Sequence, residues 1–190
     1  MLIIEGPDGV GKTTLAMTLR KYLPRHFYSH MTKPGEGFDF YWDYLDRIGR
    51  NVIQDRFHWG EAIYPQAVGR DSQLDLGEFR LIEARLRLVG SFLVLITAEL
   101  DLVEERWHSD QMFSCNQTVA AASEYIRVME RGIRTPPNSM VYQQVDCDEW
   151  IHCTHEKPYV NIDDIARIVE AYKLRQAEVA RIAARRPSHL

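Results

Sequence analysis

The sequence is poor in cysteine, close to charge balance and without any long apolar run. Three cysteines, Cys115, Cys147 and Cys153, stand among 190 residues, an odd and sparse set that does not make a disulfide scaffold. No secretory signal precedes them, so free thiols in a reducing, cytoplasmic setting are expected. The longest apolar run, Phe92 to Ile96, falls far short of the roughly 20 residues a membrane-spanning helix needs, so no membrane partner is expected. A net charge of -4 gives no overall pull towards nucleic acid, although a local basic groove remains compatible with it. Internal repeats, flexible linkers and low-complexity segments are also missing. With 45% hydrophobic and 26% charged residues the chain has an ordinary globular composition, and one domain over 1–190 is expected.

What is present is an alternation of strand and helix signals. Met1 to Ile4 is a short apolar run ended by Glu5-Gly6, a buried strand entering a turn. From Lys12 to Leu23, Leu15, Leu19 and Leu23 recur at helical spacing until Pro24. Strands are expected at His26 to His30, Asn51 to Gln54, Ser91 to Thr97 and Met140 to Val145. Helices are expected at Phe40 to Ile48, Gly60 to Val68, Leu76 to Val89, Asp101 to Trp107 and Val119 to Arg131, with a long terminal one over Asp163 to Ala184. Ser91 to Thr97 is apolar without alternation, as in a strand covered on both faces. The pattern predicts an α/β domain of three layers, a mainly parallel sheet flanked by helices.

Between the first strand and the first helix lies Gly6-Pro7-Asp8-Gly9-Val10-Gly11-Lys12-Thr13, which satisfies G-x-x-x-x-G-K-[ST] in its required context. Its glycines let the backbone curl so that N–H groups converge on phosphates, and the helix start adds its positive dipole end. Lys12 is expected to reach the β- and γ-phosphates of ATP, and Thr13 to offer its hydroxyl to Mg²⁺. Thr14 completes the cradle. A P-loop NTPase fold follows from this loop, but the loop alone does not separate a kinase from another NTPase.

The longer string Glu5-Gly-Pro-Asp8-Gly9-Val-Gly11-Lys12-Thr13-Thr14 resembles the opening of the thymidylate kinase family, E-G-x-D-G-x-G-K-T-T. Asp55-Arg56-Phe57 at a predicted strand end is similar to that family's D-R-Y/F/H element, and Tyr64 matches the tyrosine placed over the substrate sugar and base. These matches lie in the first 70 or so residues; beyond them the likeness is one of layout. The resemblance implies a single P-loop kinase domain with a lid-like segment about 106–124 and a C-terminal helix about 161–184. It assigns Arg56 to the acceptor's monophosphate and Asp8 to the sugar hydroxyl and metal surroundings. Asp55 is expected near Mg²⁺ or the acceptor, because strand ends converge beside the phosphate loop. Arg56 carries a planar fork suited to phosphate; a surface ion pair is the plainer alternative for both.

Several features depart from the family pattern. Glu61 stands where relatives often carry a neutral polar residue, either against a substrate base or as a solvated helix charge. Arg70 is open between a substrate contact and a surface role. The loop Thr32-Lys33-Pro34-Gly35-Glu36 keeps part of an Arg-Glu-Pro-Gly-Gly-like element, with Lys33 as a substrate-phosphate contact. No arginine stands in the phosphate loop, so a transition-state cation is expected from the lid, with Arg106 the candidate and Arg127, Arg131 and Arg134 its rivals. Cys147-x₄-His152-Cys153-x-His155 invites a zinc reading, but its spacing fits no common closed site; a loop approaching adenine is what the resemblance implies. Phe38, Phe40, Tyr41, Trp42 and Tyr44 either pack a helix or stack a base.

The expected function is ATP- and Mg²⁺-dependent transfer to a pyrimidine deoxynucleoside monophosphate. The alternatives are a kinase for the hydroxyl of 5-hydroxymethyluracil in bacteriophage DNA, a deoxynucleoside kinase and, less well supported, a regulatory ATPase switch. In the hydroxyl readings Asp55 is the expected general base. The partners are then a nucleotide or hydroxymethylated DNA, with a homodimer open; a phage-encoded chain would work in the host cytoplasm.

Overall fold

The computed structural model describes residues 1–31, 39–109, 113–130, 150–154 and 162–185. Five strands form one sheet in the order β2-β3-β1-β4-β5. They are β1 (Leu2–Glu5), β2 (Phe27–His30), β3 (Val52–Asp55), β4 (Phe92–Thr97) and β5 (Trp150–Thr154), and every neighbouring pair is parallel. Parallel neighbours need crossovers, and α1 (Lys12–Tyr22), α2 (Phe40–Arg47), α3 (Trp59–Val68), α4 (Leu76–Leu88), α5 (Leu100–Glu105) and α6 (Cys115–Glu130) lie in them, with α7 (Ile162–Arg185) following β5.

The central strands are apolar at successive positions because both of their faces are covered. Met1 and Ile3, with Leu93 and Leu95 of β4, join a core containing Tyr44, Trp59, Ile63, Phe79 and Tyr125 from α2, α3, α4 and α6. Leu2 and Ile4, with Val94 and Ile96, join a second core with Leu15 and Leu19 of α1 and Ile165, Ile168 and Tyr172 of α7. The alternation of strand side chains thus sorts one sequence into two cores.

Two differences from the sequence reading concern the last third of the chain. The segment Met140 to Val145 lies outside the described residues, and the strand that pairs with β4 is Trp150–Thr154. That stretch looked like an irregular loop because acidic residues precede it and His and Cys interrupt it; its strand character comes from backbone pairing with β4, which no local pattern announces. Helix α6 begins at Cys115, so residues 115–124 of the lid-like segment are its first turns, with Thr118, Ala121 and Ala122 buried. No helix among the described residues is long and apolar enough to cross a membrane.

Candidate functional site

The phosphate loop turns where β1 ends, and the backbone explains its glycines. Gly6 has φ 149°, and a Cβ there would stand 2.0 Å from the carbonyl oxygen of Ile96 on β4. Gly9 and Gly11 have φ of 82° and 91°, the left-handed region that glycine enters without penalty. Gly11 caps α1 with no side-chain partner for the first-turn N–H groups. Those donors are left for an anion at a helix start. Pro7 and Val10 are buried and seat the loop, while Thr13 and Thr14 are exposed at its mouth.

The loop's cation is held by the loop itself. Lys12 Nζ donates to Pro7 O and lies 3.4 Å from Asp8 Oδ1. Asp8 also meets Arg56, whose guanidinium stands 2.7 Å from the same oxygen, and the Asp8 backbone N–H donates to Tyr64 Oη at 3.1 Å. Burial pushes the Asp8 carboxyl up, but Lys12 and Arg56 outweigh it and hold it below its ordinary value. Burial moves Lys12 the other way, below the ordinary lysine range.

Asp55, the last residue of β3, is fully buried. Its Oδ2 accepts from Thr13 Oγ1 at 2.6 Å and from Tyr28 Oη at 3.0 Å, while its Oδ1 is buried with no partner. A buried carboxylate oxygen with no protein partner, next to the threonine hydroxyl that bonds its twin, is a donor set suited to Mg²⁺. Arg56 follows with φ 65°, an uncommon setting for a residue with a side chain. Its N–H donates to Ile4 O at 3.0 Å and its carbonyl accepts from Gln54 Nε2 at 2.9 Å. The sheet therefore imposes the turn that aims the guanidinium back at Asp8.

Beyond Arg56 opens a cavity of about 110 Å³. Phe40, Tyr44, Phe57, Tyr64, Phe113 and Tyr125 give it aromatic walls, and Glu5, Arg56, Glu61 and Arg70 give it charge. Tyr64 stacks on Phe113 with ring centroids 4.7 Å apart and planes inclined by 20°. Glu61 is buried on the cavity wall and held by the fork of Arg70, at 2.7 and 3.0 Å, so it is not a solvated helix charge. The left-handed Gly69 that ends α3 turns the chain so that Arg70 comes back over the helix. Of the aromatic cluster, Phe40 and Tyr44 reach the cavity and Trp42 is exposed; Phe38 lies outside the described residues. His58 and Trp59 are packing residues, both buried and both bonded to Glu83.

Arg106 reaches the phosphate loop. Its Nη1 donates to Gly9 O at 3.1 Å, and its Nη2 is buried without a partner. Arg127 is engaged by Glu124 one helical turn away. Lys33, Arg131 and Arg134 lie outside the described residues, as do Cys147 and His155 of the zinc reading. Among the described residues no group of three or more metal-ligating side chains comes together.

Glu5 is a residue the sequence argument used only as part of a motif. It is 1% exposed on the cavity wall, accepting from Phe57 N at 2.8 Å and from Tyr125 Oη at 3.4 Å. Burial raises its pKa from 4.5 to about 7, against the pull of Phe57 N–H, Lys12 and Arg56. Its folded form therefore binds a proton that the unfolded chain releases between those values, so stability is full below about 4.5 and falls as pH rises through about 7. Glu5→Gln should flatten this fall, worth about 3 kcal/mol by the 1.4 kcal/mol that each pKa unit represents. Urea melts of both proteins from pH 5 to 8.5 measure it; parallel pH profiles would remove Glu5 as the cause.

No family model matches the chain, and no curated protein matches it. Among solved structures, the YorR protein of Bacillus subtilis, in complex with phosphorylated GDP, superposes with a TM-score of 0.63 at 19% identity, over 93% of this chain and 97% of that one. A gluconokinase from Sinorhizobium meliloti matches at TM-score 0.47 and 12% identity, over 99% of this chain and 97% of its own. A deoxyadenosine kinase from M. mycoides with bound dATP matches at 0.45 and 14%, over 91% and 98%. The likeness to YorR is one of fold, and with the parallel sheet and the glycine loop after β1 it makes this chain a three-layer α/β protein of the P-loop NTPase fold.

Proposed function

We propose that the chain is an ATP- and Mg²⁺-dependent kinase whose acceptor is a pyrimidine deoxynucleoside monophosphate. The observation that carries this reading is the run of contacts from Lys12 through Asp8 to Arg56 and Tyr64, which joins a phosphate loop to an aromatic-walled cavity. A mere NTPase has no use for a second, base-sized chamber at that point. The YorR fold, solved with phosphorylated GDP, supports a nucleotide as ligand.

On the donor side, Lys12 would exchange Pro7 O and Asp8 for phosphate oxygens, and the N–H groups of the loop would cradle the rest. Thr13 and Asp55 would hold Mg²⁺, which supplies charge neutralisation of the phosphates when bound. Arg106, against Gly9 with Nη2 unpartnered, would meet charge that develops on the transferred group. On the acceptor side, Arg56 offers a fork to the monophosphate and its buried Nε has no other partner. Tyr64 and Phe113 offer ring faces to a planar base.

A second reading, transfer to a hydroxyl of a nucleoside or of 5-hydroxymethyluracil in DNA, has one observation in its favour. Asp55 is not on the cavity wall, but Glu5 is, and burial gives it a pKa of about 7, the value a general base needs near neutrality. Transfer of ³²P from γ-labelled ATP to the common deoxynucleoside monophosphates, to nucleosides and to hydroxymethyluracil-containing DNA, run side by side, separates the readings. Turnover with a pyrimidine monophosphate is the expected result. Labelled nucleoside or DNA with untouched monophosphates would move the assignment to the hydroxyl and to Glu5. ATP hydrolysis without transfer to any of them would count against a kinase altogether.

A further inference from the structure

Strand β2 serves Asp55 as much as the phosphate loop does. Parallel pairing sets His30 opposite Asp55 and Tyr28 opposite Ile53, and the two-residue period of a strand puts Tyr28 and His30 on one face. Tyr28 Oη donates to Asp55 Oδ2 at 3.0 Å, Thr13 Oγ1 donates to the same atom at 2.6 Å, and His30 Nδ1 stands 3.1 Å from it. All three converge on one oxygen. The other, Oδ1, is buried and has none.

Two donors on a single oxygen fix the rotation of a carboxylate about its Cβ–Cγ bond and decide which oxygen is left for a cation. Resting on the kinase reading above, the geometry points to Tyr28 as a positioning residue for Mg²⁺: its hydroxyl holds Oδ2 so that Oδ1 is the oxygen Asp55 presents to the metal of the bound nucleotide. Partners of this kind orient metal ligands from behind and raise the affinity of the site. The competing role is mechanical. β2 is an edge strand of four residues whose first, Phe27, is 75% exposed, and a tyrosine bonded to the next strand also fastens that edge.

The experiment measures ATP binding by calorimetry, with and without Mg²⁺, for the wild type, Tyr28→Phe, Asp55→Asn and the double variant, together with thermal midpoints. Removing the hydroxyl should raise the Mg²⁺ concentration for half-maximal tightening about tenfold, the lower end for lost metal-orienting bonds. ATP binding without Mg²⁺ should stay at the wild-type value. In the Asp55→Asn background, Tyr28→Phe should bring no further change, as for two residues acting through one atom. An unchanged Mg²⁺ requirement in Tyr28→Phe, with or without a lowered melting point, would leave only the mechanical role. The same Mg²⁺ shift in both backgrounds would also overturn the proposal. A wild-type protein that binds ATP equally with and without Mg²⁺ would instead remove the kinase reading, which that arm alone reports.

Discussion

Lys12→Met should lower kcat for phosphoryl transfer by about 10³-fold, in the range seen when one preorganised charge is taken from a transition state, and leave a folded protein. The two halves of that expectation come from different contacts. Lys12 Nζ, 5% exposed beneath the loop, is the only lysine or arginine of the sequence Gly6 to Thr13 and is the contact proposed for the β- and γ-phosphates. Its structural partner Asp8, however, keeps the Arg56 guanidinium at 2.7 Å. Methionine fills a similar volume, so the expected destabilisation is only the 1–3 kcal/mol or so of a less well satisfied buried acceptor. Single-turnover rates with saturating acceptor, beside thermal melts, measure both. A kcat loss under tenfold would contradict the assigned role; a variant that fails to fold would show that Lys12 is first a structural ion.

Gly6→Ala should produce a large loss of stability, since its added methyl makes the tightest approach found for any glycine of the described residues. At φ 149° an L-residue is strained, and the new Cβ would meet the Ile96 carbonyl oxygen at 2.0 Å. That oxygen belongs to backbone in a fully buried strand, so no side chain can swing aside and β1 and β4 must part. The backbone penalty of about 1–3 kcal/mol and overpacking of similar size together imply a fall in melting temperature of roughly 5–20 °C for a domain of this length. Gly69→Ala, at φ 70° with open space around it, is the comparison: it carries the backbone strain without the collision. Equal losses in the two variants would rule out the close approach of β4 as the cause.

The parts of the fold legible in the sequence are those set by neighbours along the chain. The phosphate loop lies between β1 and α1 where its flanking apolar periods place it, and Asp55-Arg56 stands at the end of β3. The C-terminal helix, expected over Asp163 to Ala184, spans Ile162–Arg185. The parts that were not legible depend on contacts between distant segments. Glu61 looked like an anomaly on α3 because its partner Arg70 reaches it only after the chain reverses at Gly69, and no helical period links them. Glu5 looked like a motif letter; its burial comes from Phe57 and Tyr125, which approach from β3's end and from α6. Tyr28 and His30 were on a predicted strand and share its face, so the alternation was visible, but only the order β2-β3-β1 shows that this face leans on Asp55. Phe113 had no signal of its own beyond being aromatic in the lid-like stretch.

One oxygen of Asp8 serves both Lys12 and Arg56, which on the proposed reading face the donor and the acceptor. The two substrates therefore draw on a common counter-ion. If a bound phosphate drew either cation away, Asp8 would interact with the remaining one with less competition. Occupancy of one chamber would then change the electrostatic surroundings of its neighbour. Such linkage is reciprocal by thermodynamic necessity: whatever factor ATP imposes on the acceptor's affinity, the acceptor imposes on that of ATP. On that reading a single short side chain in the phosphate loop couples the two binding equilibria.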